Sequence, residues 1–171
     1  MKQLLAQYAA YNLWANKILL EKLAQVSKEI VHKEMGSSFG SIYKTVFHLI
    51  KAESIWWQRL KLQEHIQLPE NDADENFSEL SKKWSSLSKQ WSDWAKETNE
   101  KYINHVFGYY DAKKEYFKQP VYEMLLHLFN HQTFHRGQII TMLRQNGIEK
   151  IPATDFIVFS RSKTFNALKE K

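Results

Sequence analysis

Asn130-His131-Gln132-Thr133-Phe134-His135-Arg136-Gly137-Gln138 is the stretch on which the reading of this chain turns. It lies inside a helical pattern that spans about 120–146, where Met124, Leu125, Leu128, Ile139, Met142 and Leu143 recur at helical spacing. Pro120 suits the first helical position, because its missing N–H would be unpaired there anyway. Gly147 suits the residue just past the end, where a left-handed backbone is cheap for glycine. His127, His131 and His135 follow one another at i, i+4 steps and therefore share one face of the helix. A coordinating stripe embedded in an otherwise apolar helix calls for a chemical explanation.

Working outward, the chain reads as all-α. Gly 5 and Pro 3 in 171 residues are too few turn residues for many short strands, so a few long helices are expected. A 43% hydrophobic and 14% aromatic content argues against disorder and for a single domain, 1–171, with a sizeable core. A first helix is expected at about 3–25, with Leu4, Leu5, Tyr8, Ala9, Asn12, Ala15, Leu19 and Leu23 on its broad inner face. Residues 27–37 read as a polar connection. A second helix then starts near Ser38, a good N-cap, and runs to about Glu64. After a polar, acidic linker at 65–75, Asn76-Phe77-Ser78-Glu79 has the form of a capping box. In the third helix Phe77, Leu80, Trp84, Leu87, Trp91, Trp94 and Thr98 alternate steps of three and four, a stripe that suits near-antiparallel packing in a bundle. Its tryptophans read as core rather than as a stacking platform for nucleic acid, which would come with a basic groove. Residues 102–118 lose the helical period and read as a short irregular segment or hairpin around Asp111-Ala112-Lys113-Lys114. Thr154 to Phe159 reads as a short apolar segment docked on the helices, a helical turn capped by Thr154.

Composition removes several classes of function. With Cys 0 there is no disulfide, no cysteine-ligated zinc and no catalytic cysteine. The N-terminus lacks a signal-peptide core and no apolar run reaches membrane-spanning length, so a cytoplasmic protein without a membrane partner is expected. A net charge of +5 spread along the chain gives no nucleic-acid footprint. Gly36-Ser37-Ser38-Phe39-Gly40 fits G-x-S-x-G, but the strand and sheet which that motif needs are missing from the pattern. Glu29-Ile30-Val31-His32 is a single E-x-x-H where a di-iron bundle needs two and further glutamates.

The histidines carry the remaining chemistry. His131 and His135 can present two nitrogens to one metal ion, although exposed pairs with this spacing also occur on helix surfaces. A third ligand must come from another element. His48 is the best candidate, mid-helix in an apolar setting where an unpaired imidazole is costly, with small neighbours at Thr45 and Ala52. His127 reads as a neighbour of the site or a surface residue. His32, His65 and His105 fall in connections and read as solvated. Arg136 points about 100° away from His135. It reads as a structural ion-pair partner, of Asp155 or another carboxylate, in preference to a substrate contact.

Tyr11-Asn12-Leu13-Trp14-Ala15-Asn16, Ser38-Phe39-Gly40-Ser41-Ile42 ahead of His48, the H-x-x-x-H-R-G-Q run at 131–138, and Pro152-Ala153-Thr154-Asp155-Phe156 occur in this order. In that order they resemble the DinB-like (DinB/YfiT) family over nearly the whole chain. The resemblance implies an up-down-down-up four-helix bundle and a homodimer. It implies a divalent ion, zinc or nickel, held by the positions occupied here by His48, His131 and His135. It further implies a small-molecule substrate and transfer of a low-molecular-weight thiol cosubstrate to an electrophile, through a metal-activated thiolate. Two other expectations stay open: a hydrolase using metal-bound hydroxide, and a non-catalytic dimeric stress or binding protein with a vestigial metal site.

Overall fold

A computed structural model describes residues 1–70, 76–163 and 165. Helix α1 spans Lys2–Leu23, a short α2 Lys28–His32, α3 Ile42–Leu60, α4 Phe77–Glu97 and a short α5 Glu100–Ile103. Strands β1 (Val106–Tyr110) and β2 (Tyr116–Pro120) follow, then α6 (Val121–Gln145) and a short α7 (Phe156–Ser160). The chain is thus mostly helical, with one small sheet. Among the described residues no helix is long and apolar enough to cross a membrane.

Local chemistry sets the boundaries. Helix α3 is capped by Ser41, whose hydroxyl accepts from the Lys44 N–H at 3.2 Å, so the helix begins three residues later than the Ser38 cap expected from sequence. Both serines satisfy the capping preference. The selection falls to Gly40, whose φ of +83° turns the chain into the helix only at that point. The expected polar connection at 27–37 contains α2, capped by Ser27. Helix α4 is capped by Asn76, which accepts from the Ser78 N–H, while Glu79 pairs with Lys82. The linker expected at 65–75 is described only to Glu70, and residues 71–75 lie outside the described residues. Pro120 is the last residue of β2 and the cap of α6, one position earlier than expected. At the other end of α6, Gly147 (φ +76°) donates to Arg144 O and Ile148 to Leu143 O, the Schellman arrangement. The hairpin forms as an antiparallel pair in register from Val106–Pro120 to Tyr110–Tyr116. Asp111 closes its turn by accepting from Lys113 N and Glu115 N.

The four long helices pack as neighbours: α1 lies against α4 and α6, and α3 against α4 and α6. Two large apolar clusters fill the interior, beside a smaller third of Tyr11, Ala15, Phe159 and Phe165. One gathers Leu19, Leu23, Val46, Leu49, Leu80, Trp84, Ile139 and Leu143; the other Leu5, Ala9, Leu60, Trp91, Phe107, Leu125 and Phe129. Trp84 and Trp91 are core, as the stripe on α4 predicts, and the small residues Ser88 and Ala95 complete its buried edge. Leu4 departs from the expected inner face of α1 and is exposed.

Between the two clusters, every long helix contributes buried polar residues: Asn12 and Asn16 from α1, Glu53 from α3, Ser88 from α4, Gln132 and Arg136 from α6. Arg136, 1% exposed, donates to Asn12 Oδ1 at 2.6 Å, Asn16 Oδ1 at 2.8 Å and Thr133 Oγ1 at 2.8 Å. Its guanidinium also lies 5.4 Å from the centre of the Tyr11 ring. Asp155 is not its partner. The carboxylate in its field is Glu53, itself fully buried and accepting from Ser88 Oγ at 3.0 Å. Burial pushes the Glu53 carboxyl up to about 8, against the downward pull of Ser88, Trp84, Arg136 and Asn12. Sequence reasoning could not supply this partner, because pairing across helices depends on rotation about each axis. The layer ties four helices together and gives partners to both Nη atoms of Arg136, while its Nε is buried without one.

At the C-terminal end, α7 docks on α1 through Phe156 and Phe159, which contact Tyr11, while the Tyr11 hydroxyl donates to Thr154 O at 2.7 Å. The capping position of α7 belongs to Asp155, and Thr154 contributes its carbonyl instead of a cap. Phe159 is fully buried within the chain.

Candidate metal centre

His131 and His135 stand one turn apart on α6, and His48 faces them from α3. The three offer ligand atoms that all lie within 4.8 Å of one another. The Nε2 atoms of His48 and His131 are 2.9 Å apart, and those of His135 and His131 3.1 Å. Two imidazoles at the distance of about 2.0–2.1 Å typical of zinc, at a tetrahedral angle, would sit about 3.3 Å apart. Two of the three pairs are therefore within a few tenths of an ångström of the spacing of a ligand set.

The tautomer of His135 follows from its surroundings. Its Nδ1 lies 2.7 Å from Gln138 Oε1, and the Gln138 amide nitrogen donates to Ser38 Oγ at 3.1 Å. With the amide so oriented, Nδ1 carries the proton and Nε2 presents a lone pair to the cluster. A partner of this kind, fixing ring and tautomer, is what metal-bound histidines generally possess. His131 differs: its Nδ1 is buried with no hydrogen-bond partner. Partial burial pushes His48 and His131 down to about 4 each, helped by the neighbouring imidazoles, and lowers His135 as well. All three rings are thus neutral at neutral pH, the form that donates to a metal.

Residues outside the triad shape the site. The ring of Phe39 stacks on His48 with centroids 3.9 Å apart, and reaches His135 at 5.4 Å. Phe39 therefore fills the space that small neighbours of His48 suggest from sequence. Ser38, the middle of the G-x-S-x-G match, accepts from Gln138 instead of acting as a nucleophile or a helix cap. The sequence signal for both residues is their place in the loop just ahead of the histidine helix, but only the fold turns that loop over the cluster. Gln132, beside His131, reaches toward Leu49 O, beside His48, at 3.5 Å and so joins the cluster to the buried polar layer. His127 lies outside the triad, exposed, with its ring 5.8 Å from that of His131 and 5.5 Å from Trp56. His65 and His105 are exposed as expected. His32 is not simply solvated: its ring stacks on Tyr43 at 4.6 Å and its Nε2 is buried without a partner.

The comparisons with known proteins agree with this architecture. The model of the DinB family matches residues 1–168. Protein DinB of Bacillus subtilis (strain 168) is 29% identical over 166 residues, covering 92% of this chain and 94% of that protein. Among solved structures, a DinB-like protein from Bacillus subtilis superposes with a TM-score of 0.64 at 14% identity, covering 87% of this chain and 98% of its own. A DinB-like protein from Bacillus cereus ATCC 10987 gives 0.60 at 17% identity, covering 81% and 89%. At these identities the two structures speak to fold alone.

Proposed function

The chain belongs to the DinB family, and from that premise we propose that it is a metal-dependent enzyme: His48, His131 and His135 hold one divalent ion, zinc or nickel, and a low-molecular-weight thiol is transferred to an electrophilic small molecule. The observation that carries this reading is the convergence of three neutral imidazoles from two helices, with their Nε2 atoms 2.9 and 3.1 Å apart. Three such ligands leave a coordination position open and the ion's charge uncompensated, as catalytic sites do. The ion would supply Lewis acidity, lowering the pKa of a coordinated thiol so that thiolate exists at neutral pH. Since the chain has no cysteine, that thiol comes from a cosubstrate. Gln138 holds the His135 ring, Phe39 shields one side of His48 from water, and the Arg136 layer fixes the separation of α3 and α6.

The same proposal takes the chain as a single domain with four helices in up-down-down-up order. Cross-helix pairs support that order. His48–His131 and Trp56–His127 run α3 and α6 in opposite senses, while Glu53–Ser88 and Trp57–Trp91 run α3 and α4 in the same sense. Tyr8–Phe129 and Asn12–Arg136 run α1 with α6. A homodimer in the cytoplasm is part of the proposal. Its support is the resemblance, together with Leu126 and Phe134 exposed on α6.

An electrophile panel assayed with and without a small thiol, and with and without metal, tests the reaction. The expected result is turnover that requires both and rises with pH through a thiol pKa well below the usual ~8.5. Thiol-independent turnover abolished in His131→Ala would replace thiol transfer by hydrolysis. No turnover under any condition would favour the binding-protein reading.

A further inference from the structure

Between the hairpin and the helices beneath it lies a cavity of about 170 Å³, lined by Trp56, Tyr109, Gln119, Glu123, Met124 and His127. His127 is the wall shared with the histidine cluster, one helical turn from His131 and in ring contact with it at 5.8 Å. A group seated in this cavity would therefore lie across the His127 ring from His131.

The walls state what that group can be. Trp56 and Tyr109 meet edge to face at 5.0 Å, and Met124 is buried. Three of the polar wall residues have partners: the Tyr109 hydroxyl donates to Gln119 Oε1, Gln119 Nε2 donates to Glu123 Oε2 at 3.4 Å, and the Tyr122 hydroxyl donates to Glu123 Oε1 at 3.4 Å. The Trp56 indole N–H and the His127 ring are the wall groups left to meet a polar atom of a ligand. Charge is balanced. Behind the rings, the Arg59 guanidinium lies 4.6 Å from the Trp56 ring centre and 4.9 Å from that of Tyr109, held by Tyr110 O at 2.7 Å. A cationic group would meet Arg59 and an anionic one Glu123. Size then decides. An apolar cavity of about 150 Å³ holds one benzene, so this one has room for a single ring and not for a fused pair.

We infer that this cavity is the subsite for one uncharged, aryl-sized group of the electrophilic substrate. The inference takes its chemistry from the proposed thiol transfer. With a benzyl halide, the sulfur of the thiolate bonds the benzylic carbon as the carbon–halogen bond breaks. Halide leaves with the electron pair, and the thiol proton has already gone to solvent. The ring seated against Trp56 and Tyr109 holds the benzylic carbon toward His131.

Binding and turnover test the subsite separately. Benzyl alcohol, which cannot react, is titrated into the whole chain while the tryptophan indole N–H resonances are followed by NMR. Saturable binding that perturbs the Trp56 resonance is expected. His127→Trp, which fills the cavity from an exposed position, and Trp56→Leu, which removes a wall, should each weaken it tenfold or more. Absence of saturable binding, or equal binding by the folded variants, overturns the subsite; should Trp56→Leu fail to fold, His127→Trp decides alone. In thiol-dependent turnover, the preference for benzyl over methyl halide should fall at least tenfold in the same variants. An unchanged preference overturns the subsite and leaves thiol transfer standing. Cavity-dependent benzyl alcohol binding without thiol-dependent turnover sinks thiol transfer and upholds the subsite.

Discussion

His135 owes its orientation to Gln138, and Gln138 owes its own to Ser38, so the reach of one imidazole toward the cluster depends on two residues that touch no metal. Gln138→Leu should leave the fold intact and weaken metal binding by about 10–100-fold, the usual cost of losing such a partner; competition with a chelator of known affinity measures it. The lowered histidine pKa values give a second expectation. Unfolded histidines titrate near 6.5, whereas His48 and His131 in the fold titrate near 4. Between these values the unfolded chain binds more protons than the folded one, so stability falls as pH drops from about 6.5 to about 4. Loss of metal from protonated ligands acts in the same direction. Melting temperatures at pH 7 and pH 5 should show this decline, and His48→Ala should flatten it; a melting temperature that rises on acidification would contradict it.

At the scale of elements, the long helices, the hairpin and the histidine spacing were legible in the sequence, because each rests on a local period or on a turn residue. Positions 131 and 135 share a face of any helix, so two of the three cluster residues need no tertiary knowledge. The start of α3 was misplaced from Ser41 to Ser38 because both are good caps, and only the left-handed turn at Gly40 separates them. The neighbours of Arg136 were out of reach for another reason: Glu53, Asn12 and Asn16 come from other helices, and although Asn12 falls on the inner face of α1, a periodic pattern does not say which residue it meets there. Gly147 offers a direct check on the end of α6. Gly147→Ala places a side chain at φ +76° and should cost about 1 kcal/mol of stability by denaturant titration. Because Gly147 lies three turns beyond His135, metal affinity should be unchanged.

Taken whole, the molecule has two large apolar clusters joined by a polar layer, and the histidine cluster opens beside that layer. Arg136→Ala would leave Asn12 and Asn16 without their donor and Glu53 without its neighbouring cation. With Glu53 pushed up to about 8 and so protonated at neutral pH, the cost is that of leaving buried acceptors without a donor, about 1–3 kcal/mol each, which for a chain of this size is on the order of 10 °C in melting temperature. A thermally unchanged but inactive Arg136→Ala would instead place Arg136 in substrate binding. The central claim remains that His48, His131 and His135 hold one ion together, and elemental analysis of untagged protein before and after reconstitution, for the wild type and four single alanine variants, tests it most directly. The account predicts about one zinc or nickel per wild-type chain, and strong loss in His48→Ala, His131→Ala and His135→Ala but not in His127→Ala. Wild-type protein that rebinds no divalent ion, or a His48→Ala variant that binds as the wild type does, would contradict it.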